Sequence, residues 1–483
     1  MTSASLIPAR RLCAGGAGPP PRWLTYLKCR KAPAGDAGSG HDYFLANGGL
    51  SWYFVAGSIT LTNLSTDQLV GMNGNQMLLL AWWELAAVFG LLILAFVFLP
   101  VYYRNNCTTT TELLQKKFGD KHIRALISLL FLLGNIFIFL PAVLYSGALF
   151  LLSMFGLDIP LMLVAIVLAL VGAAYAILGG LRAVAVSDTY SGILILSLAL
   201  LVVYLALQAI DFDLTGVPPE RLTMIGDNDS PIPWHTLLTG MIFIQMFYWS
   251  TNQTITQRAM AAPTLSEARK GVLAAAGIRL LIVPIIVTVP GVVAFKLYGD
   301  INDAAYGQIV GDLMPVWLSG VFAAAIAAAV LTTFNSILNA SAALYVCDLH
   351  EAYVGKVKNI PRLSGIVSST MTLLAIALVP VFATQESIIN TVQQLYGLLS
   401  MPILSAFIVG LVFNNVDARA AIAGVVGGVA LYAFLSFGWT PFHYIHAMFA
   451  TLIFCIVFAL SVNRIVFGRR ASFYRSRVIT EAS

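Results

Sequence analysis

The chain has 483 residues, of which 59% are hydrophobic and only 10% are charged. That balance excludes an ordinary soluble domain and is typical of a polytopic membrane protein. Five cysteines without CxxC spacing indicate neither a disulfide framework nor a zinc site. The net charge of +5 lies mostly in short loops and does not indicate nucleic-acid binding. No Walker motif or catalytic triad is visible, so neither ATP-driven transport nor an enzyme is predicted.

Residues 1–50 are rich in Gly, Pro and basic residues and contain no apolar run long enough to cross a membrane. We therefore expect a disordered, atypical N-terminal lead rather than a signal peptide. After this lead, the requirement of about 20 apolar residues per crossing predicts about twelve transmembrane helices. They lie near residues 53–77, 79–102, 122–154, 159–178, 187–209, 234–253, 268–296, 314–347, 362–383, 387–413, 418–437 and 445–467.

Basic residues recur in every second loop and in the C-terminal tail, where Arg469 and Arg470 follow the last apolar segment. Short loops rich in Lys and Arg stay on the cytoplasmic side of a membrane. The pattern predicts a multi-pass protein of the plasma (inner) membrane with both termini in the cytoplasm.

The stretch 57–84 is unusually polar for a membrane segment and contains Gly71 and Gly74 beside its amides and carboxylates. Because unpaired polar groups are costly in hydrocarbon, such a stretch must face protein or a water-filled cavity. It is predicted to be a broken helix. The sixth segment, 234–253, is also interrupted by polar residues and lies five helices later, as an inverted repeat with paired broken helices requires.

Several motifs resemble the sodium/solute symporter family, and within it the bacterial sodium/sugar cotransporters of the galactose/glucose type. The likeness runs from about Asp42 to Phe467. The motifs are NLSTDQLVGM, LYSGALFL, GGLRAVAVSDTYSG, FYWSTNQ followed by QR and EARKG, and AAAVLTTFNSILNASA.

The resemblance implies an all-α, five-plus-five inverted-repeat (LeuT-like) core at 51–413, with repeats at 51–210 and 234–413. Two additional helices at 414–467 and a cytoplasmic tail at 468–483 would follow. The family usually has another helix before the core, which we do not find here. The chain is also about three residues shorter than its relatives between Gln68 and Glu84, which bears on the position of Glu84.

Sodium takes about five or six oxygen ligands, which neutral carbonyls and hydroxyls can supply. The resemblance assigns the hydroxyls of Thr332 and Thr333 and the carbonyls of Ala329, Leu61 and Leu64 to a sodium site. Alternatively, the threonine hydroxyls bond to carbonyls of the preceding turn and the alanine run around Ala329 only permits close helix packing.

Asp188 and Ser65 are secondary candidates for contacts with the ion. The resemblance places Asp188 on the exit route of the ion or at a second ion site, and Ser65 is a similar candidate. The alternative for Asp188 is an ordinary cap at a helix N-terminus.

A neutral polyol needs hydrogen-bonding groups held between aromatic faces. The resemblance implies solute contacts and gates. The solute contacts are Gln68, Glu84, Gln245, Arg279 and Gln393, with Tyr248 stacking on the inner side; the outer gate comprises Met72, Trp83 and Ile389. Relatives tend to have Asn at Gln245 and Lys at Arg279, so galactose itself is not assigned. Alternatively, Arg279 pairs with Glu84 in the empty site, which removes a costly lone charge.

The sequence favours a sodium-coupled symporter that imports a small polar solute by alternating access, and a sugar is the preferred solute. The expected partners are Na⁺, the solute and the bilayer, with no organic cofactor, nucleic acid or obligate protein partner. Two alternatives stay open. The solute could carry a carboxylate bound by Arg279, or the protein could be a transport-inactive, sensor-like member.

Overall fold

A computed structural model describes residues 44–45 and 48–473 of the protein, except for the side chains at 177–184 and 186–188. Most of the predicted lead at 1–50 and most of the tail at 468–483 lie outside these residues, as does the side chain of Asp188.

Helices make up nearly all of the described chain. Those longer than seven residues are α1 (Trp52–Asn63), α2 (Thr66–Gly74), α3 (Leu78–Arg104), α4 (Thr110–Phe118), α5 (Lys121–Phe155), α6 (Leu161–Ala209), α7 (Gly240–Ser250), α8 (Gln253–Met260), α9 (Leu265–Tyr298), α10 (Ala305–Leu313), α11 (Val316–Tyr353), α12 (Ile360–Phe382), α13 (Ile388–Val412), α14 (Ala418–Gly438) and α15 (Tyr444–Ile465). A short antiparallel pair, β1 (Phe413–Asn414) with β2 (Ser472–Phe473), adds to the predicted all-α architecture.

Nine helical segments of the described residues are long and apolar enough to cross a membrane. They are α3, α5, the Thr189–Ala209 part of α6, α9 and α11 to α15. Leu161–Ala176, at the start of α6, is apolar but shorter. The first and sixth predicted segments miss the length criterion because each is divided into two short helices.

The loop predicted between the fourth and fifth segments is not observed. The backbone is helical from Leu161 to Ala209, across the residues expected to separate 159–178 from 187–209. No proline interrupts this stretch, and Gly179 and Gly180 stand among good helix formers. A positive charge between two apolar runs was therefore insufficient evidence for a loop.

The first broken helix is confirmed, and its break precedes Gly71 and Gly74. α1 ends at Asn63 and α2 begins at Thr66, with Leu64 outside helical conformation and Ser65 extended. Gly71 and Gly74 lie within α2, where they permit close packing. A Cβ at Gly71 would lie 2.8 Å from the Ile388 side chain, and one at Gly74 would lie 2.5 Å from Asp303 Oδ1.

The sixth segment has a matching break between α7 and α8, at Thr251 and Asn252. The Asn252 side chain accepts a hydrogen bond from the backbone N–H of Thr254 at 2.9 Å and so caps α8. Capping satisfies one of the free amides at the new helix start. Polar residues at a break can thus satisfy backbone groups that the interrupted helix leaves free.

The two halves of the first broken helix pack against different halves of α9, which bends at Ile282. α1 packs mainly on Leu265–Leu281 and on α6, whereas α2 packs mainly on Val283–Tyr298 and on α5. The break in one helix therefore lies beside the bend in its neighbour.

Asn73 joins α2 to the second half of α9. Pro290 has no N–H, so the carbonyl of Ile286 lacks its usual helical donor. Asn73 Nδ2 donates to that carbonyl at 3.2 Å and to the carbonyl of Leu69 at 2.8 Å. Its Oδ1 accepts from the N–H of Gly291 at 2.8 Å. This fully buried side chain therefore supplies what the proline removes.

A second buried polar cluster joins α11 to α5. Asp348 accepts hydrogen bonds from Arg124 Nε and from the Thr109 hydroxyl, each at 2.8 Å, and also from the hydroxyls of Thr111 and Ser128. A buried carboxylate is tolerable only with such a set of donors. The cluster compensates the buried charge of Asp348 with one arginine and three hydroxyl groups.

We expect Asn73→Leu, an apolar change of similar size, to lower the thermal unfolding temperature of the protein in detergent. The substitution leaves the Ile286 carbonyl and the Gly291 amide buried without this partner, and each such loss costs about 1–3 kcal/mol. Asn414→Leu, at an exposed position, is the control. Equal unfolding temperatures for the two variants would contradict this role of Asn73.

Candidate functional site

A cavity lies between the two helix breaks. Its walls come from α1, α2, α3, α5, α7, α8, α11 and α13. They include, among others, Asn63, Ser65, Asp67, Gln68, Trp83, Glu84, Phe139, Gln245, Tyr248, Trp249, Asn252, Thr333, Ile389, Gln393 and Tyr396. The structure thus brings most of the predicted solute and gate residues to one space. Arg279 and Met72 are fully buried and do not line it.

Arg279 forms a buried ion pair with Glu84, as one of the alternatives predicted. Both side chains are essentially inaccessible to solvent. The guanidinium also donates to the carbonyl of Thr60 at 3.2 Å and lies 4.4 Å from the ring centroid of Trp249. The carboxylate and the indole ring both favour the cation. The positive charge is therefore neutralised behind the cavity wall.

Gln68 and Asn63 extend this pair to the cavity surface. With its amide oriented to satisfy its neighbours, Gln68 donates to Glu84 Oε1 at 2.7 Å and accepts from Asn63 Nδ2 at 3.1 Å. Asn63 Nδ2 also lies 2.9 Å from the Tyr248 hydroxyl, to which it donates. Such connected networks fix the orientation of each member. The short stretch between Gln68 and Glu84 therefore does not keep Glu84 away from the cavity.

Gln245 is committed to contacts within the protein. Its amide nitrogen donates to the carbonyl of Trp83 at 2.9 Å, and its oxygen accepts from Trp249 Nε1 at 2.8 Å. Both ends of the amide are thus used, although the side chain reaches the cavity wall.

Gln393 and Asp67 differ from these residues because they retain capacity for a ligand. Gln393 lines the cavity and makes no hydrogen bond within the described part of the chain. Asp67 accepts a hydrogen bond from the Ser65 hydroxyl and forms no ion pair with any described residue.

Aromatic rings cover much of the remaining wall. Tyr248 meets Tyr396 edge to face at 6.0 Å, and Phe139 meets Tyr396 at 4.7 Å. The Tyr396 hydroxyl accepts from Asn252 Nδ2 at 2.9 Å. Sequence reasoning missed Asn63, Phe139, Asn252 and Tyr396 as site residues. The polar composition of the two broken helices already contained the asparagines.

The predicted sodium ligands lie where α11 packs against α1 and α2. The Thr332 hydroxyl donates to the carbonyl of Ala329 at 3.1 Å, which is the packing alternative considered above. The Thr333 hydroxyl is buried, has no hydrogen-bond partner among the described residues, and faces the cavity. Buried hydroxyl groups usually have a hydrogen-bond partner, so this one is available to coordinate a cation.

Leu61 lies in the last turn of α1, and Leu64 follows the end of this helix. Leu64 departs from helical geometry, so carbonyls of this last turn have no complete set of helical donors. Ser65, the first residue after the break, donates to Asp67. The side chain of Asp188 is outside the described residues, so its predicted role stays a prediction.

Asp303 is a buried residue in the segment between α9 and α10. Its Oδ2 accepts from the backbone N–H of Ile388, at the start of α13, at 2.9 Å. The side chain also packs on Gly74 at the end of α2. Burial raises the pKa of Asp303 to about 7. Asp303, which contacts the residue before the predicted gate residue Ile389, is therefore a carboxyl group with a pKa near neutral.

The fold is that of a known class of membrane transporters. The structure of a Na⁺-coupled sialic acid symporter in a substrate-bound outward-open state matches with a TM-score of 0.78 at 17% sequence identity, over 92% of this chain and 95% of that chain. The five-plus-five inverted-repeat, LeuT-like architecture predicted from the sequence is confirmed. The chain therefore has the same fold as that symporter.

The family model described as "Sodium:solute symporter family" matches residues 43–428. The uncharacterized symporter YidK of Escherichia coli (strain K12) is 33% identical over 90% of this chain and 79% of its own length. The sodium/glucose cotransporter of Vibrio parahaemolyticus is 31% identical over 87% of this chain and 83% of its own. The chain belongs to the sodium:solute symporter family. Membership supports Na⁺ as the coupling ion.

We expect Glu84→Gln to destabilise the protein strongly, because it leaves the Arg279 guanidinium buried without its counter-charge. Removing one partner of a buried ion pair typically costs about 3–5 kcal/mol. The double variant Glu84→Gln, Arg279→Gln removes both charges and should unfold at a higher temperature than Glu84→Gln alone.

The control is Asp213→Asn, which breaks the exposed pair with Lys296 at 3.3 Å and should cost less than about 1 kcal/mol. Thermal unfolding in detergent measures all four variants, including Arg279→Gln. If the losses of the two single variants add in the double variant, the two charges do not depend on each other.

Proposed function

We propose that the protein imports a small, uncharged, hydroxyl-rich solute with sodium. The observation that carries the proposal is the state of Arg279, whose positive charge is neutralised by Glu84 and which does not line the cavity. No other Lys or Arg of the described residues lines the cavity either. A solute carboxylate would find no free cation there, and burying an unpaired charge is costly.

The cavity walls support a sugar or a cyclic polyol. Tyr248, Tyr396 and Phe139 supply apolar ring faces, while Gln393 and Asp67 retain hydrogen-bonding capacity towards the cavity. Hydroxyl groups both donate and accept, so they can satisfy an amide and a carboxylate without any charge of their own.

Gln68, Glu84 and Asn63 would act as a connected group in this proposal. Their mutual hydrogen bonds hold the acceptor and donor atoms in place before the solute arrives. Preorganisation of this kind lowers the entropic cost of binding. Tyr248, held by Asn63, would cover the solute from the inner side, and Trp83 and Ile389 would form walls on the outer side.

Sodium would bind beside the solute, at the break between α1 and α2. The Thr333 hydroxyl, the Thr332 hydroxyl after it releases Ala329, and the carbonyls of Leu61, Leu64 and Ala329 are the proposed ligands. A cation there would tie α11 to the broken helix. Because the same break carries the residues that reach the solute, binding of the ion and binding of the solute would favour each other.

We place the protein in the plasma (inner) membrane with both termini in the cytoplasm, as the loop charges predict. The test of function is solute uptake into proteoliposomes with an inward sodium gradient, with choline as the replacement cation. Glucose, galactose and myo-inositol are the probes. We expect uptake that requires sodium; no uptake of any probe would favour the transport-inactive alternative.

The double variant Thr332→Ala, Thr333→Ala should lose most sodium stimulation of uptake, because it removes the two side-chain hydroxyls proposed as ligands. The expected result is at least a tenfold weaker apparent sodium affinity, about 1.4 kcal/mol. Thr370→Ala is the control, since that hydroxyl only donates to the carbonyl of Ile366 in its own helix. Unchanged sodium affinity in the double variant would place the ion elsewhere.

Gln393→Ala should weaken apparent solute affinity by about ten- to a hundredfold, because a solute hydroxyl loses a partner worth about 1–3 kcal/mol in a buried site. The neighbouring Gln394 provides a matched control, since its amide donates instead to the carbonyl of Ser436 at 3.3 Å. Gln394→Ala should leave solute affinity nearly unchanged. Concentration dependence of uptake measures both, and equal effects would contradict the assignment.

A further inference from the structure

Asp67 is a carboxylate in the wall of the cavity that the solute contacts inferred from the family do not include. It lies in the first turn of α2, directly after the break, and is 8% exposed. Its hydrogen bond comes from the Ser65 hydroxyl, two residues earlier. The other carboxylate of the cavity, Glu84, is neutralised by Arg279, whereas Asp67 has no ion-pair partner among the described residues.

The position of Asp67 explains how this charge is tolerated. The N-terminus of a helix carries a partial positive charge and free N–H groups, which favour an anion in the first turn. In transporters with broken helices, the N-terminus of a half-helix is a place where an anionic group of the substrate binds. Here the chain supplies its own carboxylate at that place, from α2 itself.

A solute carboxylate at the same break would therefore meet a negative charge instead of an open helix end. Like charges brought together in a desolvated site cost several kcal/mol. Arg279 does not relieve this repulsion, because its guanidinium already contacts Glu84, Thr60 and Trp249. By contrast, a solute hydroxyl can donate a charge-assisted hydrogen bond to Asp67.

We propose that Asp67 is a specificity-determining residue, which accepts a hydrogen bond from a solute hydroxyl and excludes carboxylate-bearing solutes from the site. This inference rests on the proposed import of a small solute and narrows its class to uncharged polyols. A purely structural role would be different: Asp67 would stabilise the start of α2 and have no influence on which solute binds.

The test compares two sugars that differ in one group. Glucose and glucuronate are identical except that a CH₂OH group is replaced by a carboxylate. Their binding to the full-length protein in detergent is measured by thermal shift in sodium, together with the pair galactose and galacturonate. The variant is Asp67→Asn, which keeps the shape of the side chain and removes its charge. Asp213→Asn, at an exposed loop position, is the matched control.

The wild type and the control should prefer each neutral sugar over its acid. Asp67→Asn should reduce the ratio of the two affinities by at least about tenfold, mainly through stronger binding of the acid. A gain of acid binding cannot arise from misfolding, so it separates specificity from stability.

Two results would overturn the inference. One is a wild-type protein that binds an acid as tightly as its neutral partner, and the other is an unchanged ratio in Asp67→Asn. Either result, with sodium-dependent binding retained, leaves sodium symport in place and removes only the role of Asp67. A wild-type protein that binds none of the four probes in sodium contradicts the proposed sugar-like solute as well.

Discussion

An unpaired polar group in hydrocarbon is costly, and this constraint determines where polar residues lie in the protein. A helix that breaks inside a membrane exposes carbonyl and amide groups, and each must find a partner in the protein or in a ligand. Two helices break here, at Leu64–Ser65 and at Thr251–Asn252, and both breaks border one cavity. The cavity is therefore the place where the chain keeps polar groups at membrane depth. The Arg279–Glu84 pair and the hydroxyl of Thr333 are consequences of the same constraint.

Much of the fold could be predicted from the sequence because hydrophobic length and polar interruptions are properties of single segments. The twelve apolar segments are helical, and the two polar ones are the two that break. Local composition was less informative about detail. Gly71 and Gly74 indicated a broken helix, but they lie beyond the break and permit close packing. Local composition also predicted a loop where α6 is continuous. Glycine serves both breaks and close contacts, and a single arginine occurs in both loops and helices.

The candidate site, like the fold, was predictable from the sequence only in part. Residue types and motif resemblance selected side chains that converge on one cavity, but they could not decide which of these side chains are already paired. Gln245 and Arg279 are engaged by Trp249, Trp83 and Glu84. Gln393 has no hydrogen-bond partner in the part of the chain that the structure describes. Pairing depends on neighbours that come from distant segments, about 195 residues apart for Arg279 and Glu84. Only the assembled bundle shows which polar groups remain available.

The arrangement of α1, α2 and α9 has a mechanical consequence. α1 packs on the first half of α9, and α2 packs on the second half. Asn73 joins α2 to that second half by hydrogen bonds to the Ile286 carbonyl and the Gly291 N–H, next to Pro290. Two packed helix pairs result, joined at the break between α1 and α2 and at the bend in α9. Rotation at this common joint would carry each pair as a unit. A cation bound by the carbonyls of Leu61 and Leu64, as we propose, would lie at this joint and would influence the angle between the two pairs.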